Sequence, residues 1–457
     1  MKPPFFIPAL MLMAAPTLQA QNYTPDWESI DSRPVPEWFS HARFGIFIHW
    51  GLYSVPAWAT VDKNISSSPV YSEWYWWQKN TDTGSIGDAT RQHHSAYYGD
   101  DFHYQDFVKD FKAENFDPAQ WADLFEKSGA RYVVLTSKHH EGFTLWPSAQ
   151  SWNWNSVDVG PHRDLAGDLS AAVKEKGLHM GFYYSLYEWY NPLYLSDVDK
   201  YVDQHMLPQL KDLVCRYEPD IVWTDGEWEY TSQTWRSTEF LSWLYNESPV
   251  RDNVVVNDRW GSETRSRHGG FYTTEYDLNS SQAQNMSATA TRPWEECRGI
   301  GNSFGYNRAE TLEHYSSTPQ LITTLIERVA RGGNLLLDIG PKADGTIPLV
   351  MQDRLLGIGE WLKTNGEAIY GSQPWHDAPA DAPEGVYFTT VGPDLYVLLT
   401  RPCGSVNLPS VRKPAQAMAL GSGLKAAISG GKLRIPQKTM EQAAAMPQVI
   451  KLTGALR

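Results

Sequence analysis

The sequence predicts an α/β fold: a (β/α)8-like barrel followed by a small C-terminal β-sandwich. Two observations predict it. Through residues 21–375, apolar runs rich in β-branched and aromatic residues alternate with amphipathic helical patterns. Beyond a Pro/Ala/Asp stretch at 376–385, "HDAPADAPEG", the helical patterns give way to short strand-like pieces over residues 376–457. Seven or eight strand–helix units favour a closed barrel over an open sheet.

The elements follow in order. Residues 1–20, "MKPPFFIPALMLMAAPTLQA", pair one Lys with an apolar run and a small residue at Ala20. They read as a secretory signal cut before Gln21, placing the protein outside the cell or in a periplasm. The strand candidates are "RFGIFIH" (43–49), "RYVVLTS" (131–137), "HMGFYYS" (179–185), "DIVWTDG" (220–226), "NVVVNDR" (253–259), "GFYTTEY" (270–276) and "NLLLDIG" (334–340). Most are apolar on successive residues, as strands buried on both faces are. Asp117–Pro118 opens one helix, and "DLAGDLSAAVKEKG" stops at Gly177. Thr318–Pro319 opens another, with Leu321, Ile322, Leu325, Ile326 and Val329 on one stripe. Residues 52–115 fit no simple unit and read as an irregular wall or lid over the barrel mouth, with His93 and His94 at its surface. The late pieces "VYFTTVGPDLYVLLTR", "LRIP" and "QVIKLTG" supply the sandwich.

Composition excludes several classes. A formal charge of −14 argues against a nucleic-acid partner. No later segment reaches the ~18 unbroken apolar residues of a membrane span. Cys215, Cys297 and Cys403 are too scattered for a metal motif and allow at most one internal disulfide. The 20 Trp and 24 Tyr suit the apolar faces of sugars, though large cores use aromatics too. Self-association into a homo-oligomer is compatible with the sequence.

In a barrel, the strand ends share one rim, and six runs end in polar or aromatic clusters. Asp225 in "WTDGEW" ends a strand between Trp223 and Trp228. It reads as nucleophile or base; its structural alternative is a helix N-cap. A glycosidase needs a second carboxylate. Glu275 in "TTEY" is the first candidate and Glu295 in "PWEEC" its competitor, with Glu227 and Glu73 behind them. A structural ion pair between Glu275 and Arg259 is an equal alternative. His49, His139 and His140 gather at the same rim. Adjacent strand residues point oppositely, so His139 and His140 are expected not to share an ion. Neutral imidazoles bonding sugar hydroxyls are the preferred reading, with neither metal nor cofactor.

"WFSHARFGIFIHWGLYSVPAWA", "SEWY", "YVVLTSKHHEGFTLWPS", "WTDGEW", "NDRWG" and "RGGNLLLDIGPKADGTIP" together resemble the α-L-fucosidases of glycoside hydrolase family 29. The resemblance spans residues ~24 to ~375. It implies retaining hydrolysis of terminal α-L-fucose from fucosylated oligosaccharides or glycoconjugates, with Asp225 as nucleophile and Glu275 as acid/base. It also implies a fucose-binding set of His49, Glu73, Trp74, His139, His140, Tyr183, Trp223, Arg259 and Phe304. Two rivals are an inactive carbohydrate-binding relative and a metal-dependent barrel hydrolase. Both carboxylates are present, against the first, and a ligand pattern is missing, against the second.

Overall fold

Eight strands run parallel in one sheet of the computed structural model, which describes residues 22–276 and 292–456. They are β1 (Phe44–Ile48), β2 (Tyr132–Lys138), β3 (His179–Ser185), β4 (Ile221–Asp225), β5 (Val255–Val256), β6 (Tyr272–Glu275), β7 (Trp294–Gly299) and β8 (Asn334–Ile339). The order β5-β4-β3-β2-β1-β8-β7-β6 leaves β5 and β6 at the edges. The expected barrel therefore has a seam where the ladder stops. β5 is two residues long, and single bonds replace pairing: Phe271 N–H donates to Val256 O at 3.0 Å, and Thr273 N–H to Asp258 Oδ1 at 3.1 Å. Gly270 permits this approach, because a Cβ there would lie 2.1 Å from Val256 O.

Alternation along the strands sorts side chains into two cores. Phe47, Tyr132, Val134, Tyr183, Ile221, Trp223, Cys297 and Leu336 fill the barrel interior. Their strand neighbours, such as Ile46, Val133, Phe182, Val222 and Leu335, pack with the surrounding helices. Gly45 makes room inside for the Tyr132 ring, which a Cβ there would meet at 2.4 Å.

The helices begin where side chains satisfy their free N–H groups. Asp117 accepts from Ala119 N and Gln120 N and starts the helix Pro118–Ser128, which closes on left-handed Gly129. Asp164 accepts from Gly167 N and starts Leu165–Glu175. Ser317, with Gln320, starts Thr318–Ala330, whose predicted apolar stripe is buried.

Three expectations need correction. β7 (Trp294–Gly299) adds a strand to the seven the sequence predicts. The stretch holding His93 and His94 is an ordered helix, Ser85–Tyr97, rather than irregular chain. His94 is buried, bonded to the Tyr75 hydroxyl and Phe102 O, while His93 stacks on Trp58.

Past the barrel, strands Gln373–Pro374, Val386–Val391, Asp394–Leu399, Gln416–Ala419 and Gln448–Thr453 form a five-stranded sheet. Ser405–Asn407, Ala427–Ser429 and Lys432–Arg434 form a three-stranded one. The two antiparallel sheets share a core that includes Leu395, Val397, Leu399, Val406, Leu433 and Ile450. This sandwich meets the barrel through Trp361 Nε1, which donates to Pro447 O at 2.8 Å, and Tyr387 OH, which donates to Glu327 at 2.7 Å. All three cysteines are free. Among the described residues no helix is long and apolar enough to cross a membrane. The signal-like residues 1–20 lie outside the described residues.

Candidate active site

A cavity of about 130 Å³ opens at the C-terminal ends of the barrel strands. All eleven predicted site residues line it: His49, Glu73, Trp74, His139, His140, Tyr183, Trp223, Asp225, Arg259, Glu275 and Phe304. Phe47, Tyr71, Trp228 and Cys297 complete the lining.

Asp225 is the last residue of β4 and serves no helix as a cap. Its Oδ1 accepts from Arg259 Nη1 at 2.7 Å and its Oδ2 from the Tyr183 hydroxyl at 2.9 Å. Burial alone pushes a carboxylate up, but the Arg259 charge, seconded by Arg265, holds Asp225 well below the usual range. The group is thus ionised, aimed and unable to rotate.

Arg259 ties the two carboxylates together. Its second terminal nitrogen lies 2.5 Å from Glu275 Oε1, and its Nε donates to Thr273 Oγ1 at 3.0 Å. Its guanidinium lies 4.4 Å from the centre of the Trp223 ring. The predicted Glu275–Arg259 contact therefore exists, but at the cavity wall, where it leaves Glu275 in reach of a ligand. The Glu275 side chain keeps 34% of its surface exposed, so it is reachable from solvent.

Glu295, the competitor, lies deeper and does not line the cavity. It accepts from the Tyr132 hydroxyl at 2.5 Å and from Trp223 Nε1 at 3.0 Å, and burial pushes it up to about 7. It fixes the Trp223 indole from below. Glu227 is also buried outside the cavity, paired with Arg265 at 2.5 Å.

The histidines contradict the expected opposition. His139 and His140 both line the cavity, ring centres 4.0 Å apart. β2 ends at Lys138, so strand alternation no longer governs them. The Ser185 hydroxyl donates to Tyr187 O at 2.6 Å, so its oxygen accepts from His140 Nδ1–H at 2.7 Å. That leaves His140 Nε2 an acceptor, 3.9 Å from Asp225 Oδ2. His139 stacks on the Tyr183 ring.

Two aromatic and acidic corners finish the site. Glu73, in the turn Ser72–Trp74, accepts from Gly305 N–H at 2.9 Å and Ser303 OH at 3.2 Å, and burial pushes it up. Phe304 packs against His49, Tyr71 and Tyr276, giving an apolar wall.

Asp338 on β8 supports the site without lining it. Its Oδ1 lies 2.6 Å from His49 Nδ1, and both side chains are buried. Burial drives Asp338 well above the carboxylate range and His49 well below the imidazole range. Asp338→Ala is expected to raise KM for a sugar substrate about tenfold by freeing the His49 ring and leaving its nitrogen unpaired, with Asp338→Asn closer to wild type. Steady-state kinetics on both variants checks this; equal KM values would remove Asp338 from the site. A charged residue inside the run "NLLLDIG" was the signal for it, and Phe47 sits two residues before His49 on the same strand face.

A buried carboxylate facing a second across a one-sugar cavity can carry out acid/base and nucleophilic work at an acetal carbon. Among the described residues, no group of three or more His, Cys, Asp or Glu could hold a metal ion.

Comparison with known proteins follows the same direction. The family model described as Alpha-L-fucosidase matches residues 10–367. An alpha-L-fucosidase of Dictyostelium discoideum is 51% identical over 379 residues, covering 81% of this chain and 78% of that protein. Tissue alpha-L-fucosidase of Homo sapiens is 46% identical over 388 residues, covering 83% and 78%. The crystal structure of Thermotoga maritima alpha-fucosidase in complex with fucose matches with a TM-score of 0.76 at 37% identity, covering 94% of this chain and 99% of that one.

Proposed function

The chain belongs to the alpha-L-fucosidase family of glycoside hydrolases, and on that premise we propose that it removes terminal α-L-fucose from fucosylated glycans with retention of configuration. One observation carries the reading: a single buried guanidinium, Arg259, holds Asp225 on one nitrogen and Glu275 on the other. That reach favours the ~5–5.5 Å carboxyl separation of retaining enzymes over the ~6.5–9.5 Å of inverting ones.

In this reading Asp225 attacks the anomeric carbon and forms a fucosyl ester, while Glu275 protonates the departing oxygen. Water then attacks the ester, Glu275 takes its proton, and Asp225 leaves. The charges exchange as this happens. Asp225 loses its negative charge on forming the ester, just as Glu275 gains one by giving up its proton. Arg259 touches both, so the cation keeps an anionic partner at every stage and the buried site never carries an unpaired charge.

The remaining residues fit a 6-deoxy sugar. His49, His139, His140 and Glu73 bond the three hydroxyls, while Phe304 and Tyr71 shelter the methyl group. Fucose recognition is thus assigned to buried groups that would go unpaired with a sugar lacking those hydroxyls. The same reading places the protein outside the cytoplasm, on the apolar run at 1–20, and divides the chain into a barrel and a sandwich, with the expected boundary at 375/376 moved back before strand Gln373–Pro374, which pairs in the sandwich sheet. The change from parallel to antiparallel sheets supports that division.

The test is turnover of a chromogenic α-L-fucoside, with and without chelator, following the anomer of the first sugar released by NMR. α-L-fucose first, unaffected by chelator, is expected. Release of the β-anomer first would overturn the retaining mechanism. Fucose binding without turnover would make the protein a lectin-like relative, and loss with chelator would make it a metal hydrolase.

A further inference from the structure

We propose that Trp228, backed by Trp74 and Tyr187, is a stacking platform for the pyranose ring to which the fucose is attached; this rests on the exo-fucosidase reading above. The cavity itself has room for one sugar, and its inner groups are buried, so a substituent on the fucose must pass over the rim. Trp228 stands at that rim. It is 41% exposed, although a large apolar ring on a surface loop gains nothing from water.

Its position is fixed by the turn beneath it. Gly226 takes a left-handed φ of 73°, and a Cβ there would meet Tyr187 Cβ at 2.6 Å. Glu227 O accepts from Trp235 Nε1 at 3.1 Å, and the Glu227 side chain is clamped by Arg265. An exposed indole on so firmly held a base is preorganised, which lowers the cost of ordering it on binding. The ring leans toward β2 and β3. Its centre lies 5.5 Å from His140 and 6.0 Å from both Trp74 and Tyr187, inclined only 32° to Trp74. Glu275 reaches the cavity from β6, which β4 and β5 separate from β3 around the seam, so the departing oxygen leaves between the acid and the indole wall. The C–H face of a pyranose is the surface that stacks on such a wall, and its hydroxyl rim stays in water.

The experiment compares kcat/KM for α-L-fucosyl fluoride, whose leaving group has no ring, with the best substrate among a set of α-L-fucosyl disaccharides. In Trp228→Ala, the disaccharide value is expected to fall about tenfold relative to the fluoride value, and Trp228→Phe to restore most of it. Equal changes on both substrates would make Trp228 part of the fucose pocket and overturn the proposal. So would a wild-type protein that cleaves the fluoride but no disaccharide. A wild-type protein inert on the fluoride as well would instead overturn the fucosidase reading.

Discussion

Asp225→Gly is expected to lower turnover of an aryl α-L-fucoside by at least about 10,000-fold, because no other group can take the fucosyl unit. Azide is expected to recover part of the activity by occupying the space the carboxylate leaves, giving the β-fucosyl azide with inverted configuration. The bonds that hold Asp225 account for the size of the expected effect. Tyr183 and Arg259 each hold one of its oxygens, so the attacking atom is positioned before substrate arrives. Product analysis by NMR and single-turnover rates would check it; unchanged turnover would remove Asp225 from the chemistry. The variant also leaves Arg259 buried with one anionic partner fewer, at a cost of up to about 3 kcal/mol in stability. Because the folded Asp225 is held below its unfolded value near 3.9, its contribution is present above that pH and is lost as pH falls below it. The gap in melting temperature between wild type and variant should therefore narrow in acid.

Much of this site is legible in the sequence because barrel strands put their C-terminal residues on one rim. His49 after β1 and Asp225 on β4 follow from strand ends, whereas Tyr183 on β3 is separated from Tyr184 only by family resemblance. Trp74 and Phe304 do not follow from strand ends, since they come from a turn and a loop with no periodic signal, and only family resemblance singles them out; Glu73 is legible only as a spare carboxylate. β7 escaped because Glu295, Glu296 and Arg298 interrupt any apolar run. Each is spoken for inside the fold: Glu295 by Tyr132 and Trp223, Glu296 by Arg328 at 2.8 Å, and Arg298 over the Tyr276 ring. Buried polar side chains whose partners lie elsewhere in the chain imitate surface in a sequence. His139 and His140 differ from expectation for the opposite reason: strand alternation does not extend to the two residues past Lys138.

The choice between Glu275 and Glu295 shows where sequence stops and register begins. In the β6–β7 ladder Thr273 pairs with Glu295, while Glu275 pairs with Cys297. Glu295 is therefore one inward layer deeper, beneath the Trp223 indole, and Glu275 is level with the cavity. Glu275→Ala is accordingly expected to slow release of a poorly activated sugar leaving group by about 100- to 10,000-fold. An aryl leaving group with a low pKa needs no proton and should form the fucosyl ester almost normally. Hydrolysis of that ester then lacks its base, so the intermediate accumulates and a burst precedes slow turnover; added azide should speed the second step. Glu295→Ala should behave differently, disturbing Trp223 and lowering affinity for all substrates alike. If the leaving-group dependence and the burst attach to Glu295→Ala instead, the acid/base lies in the deeper layer and Arg259 cannot be exchanging partners as the charges move.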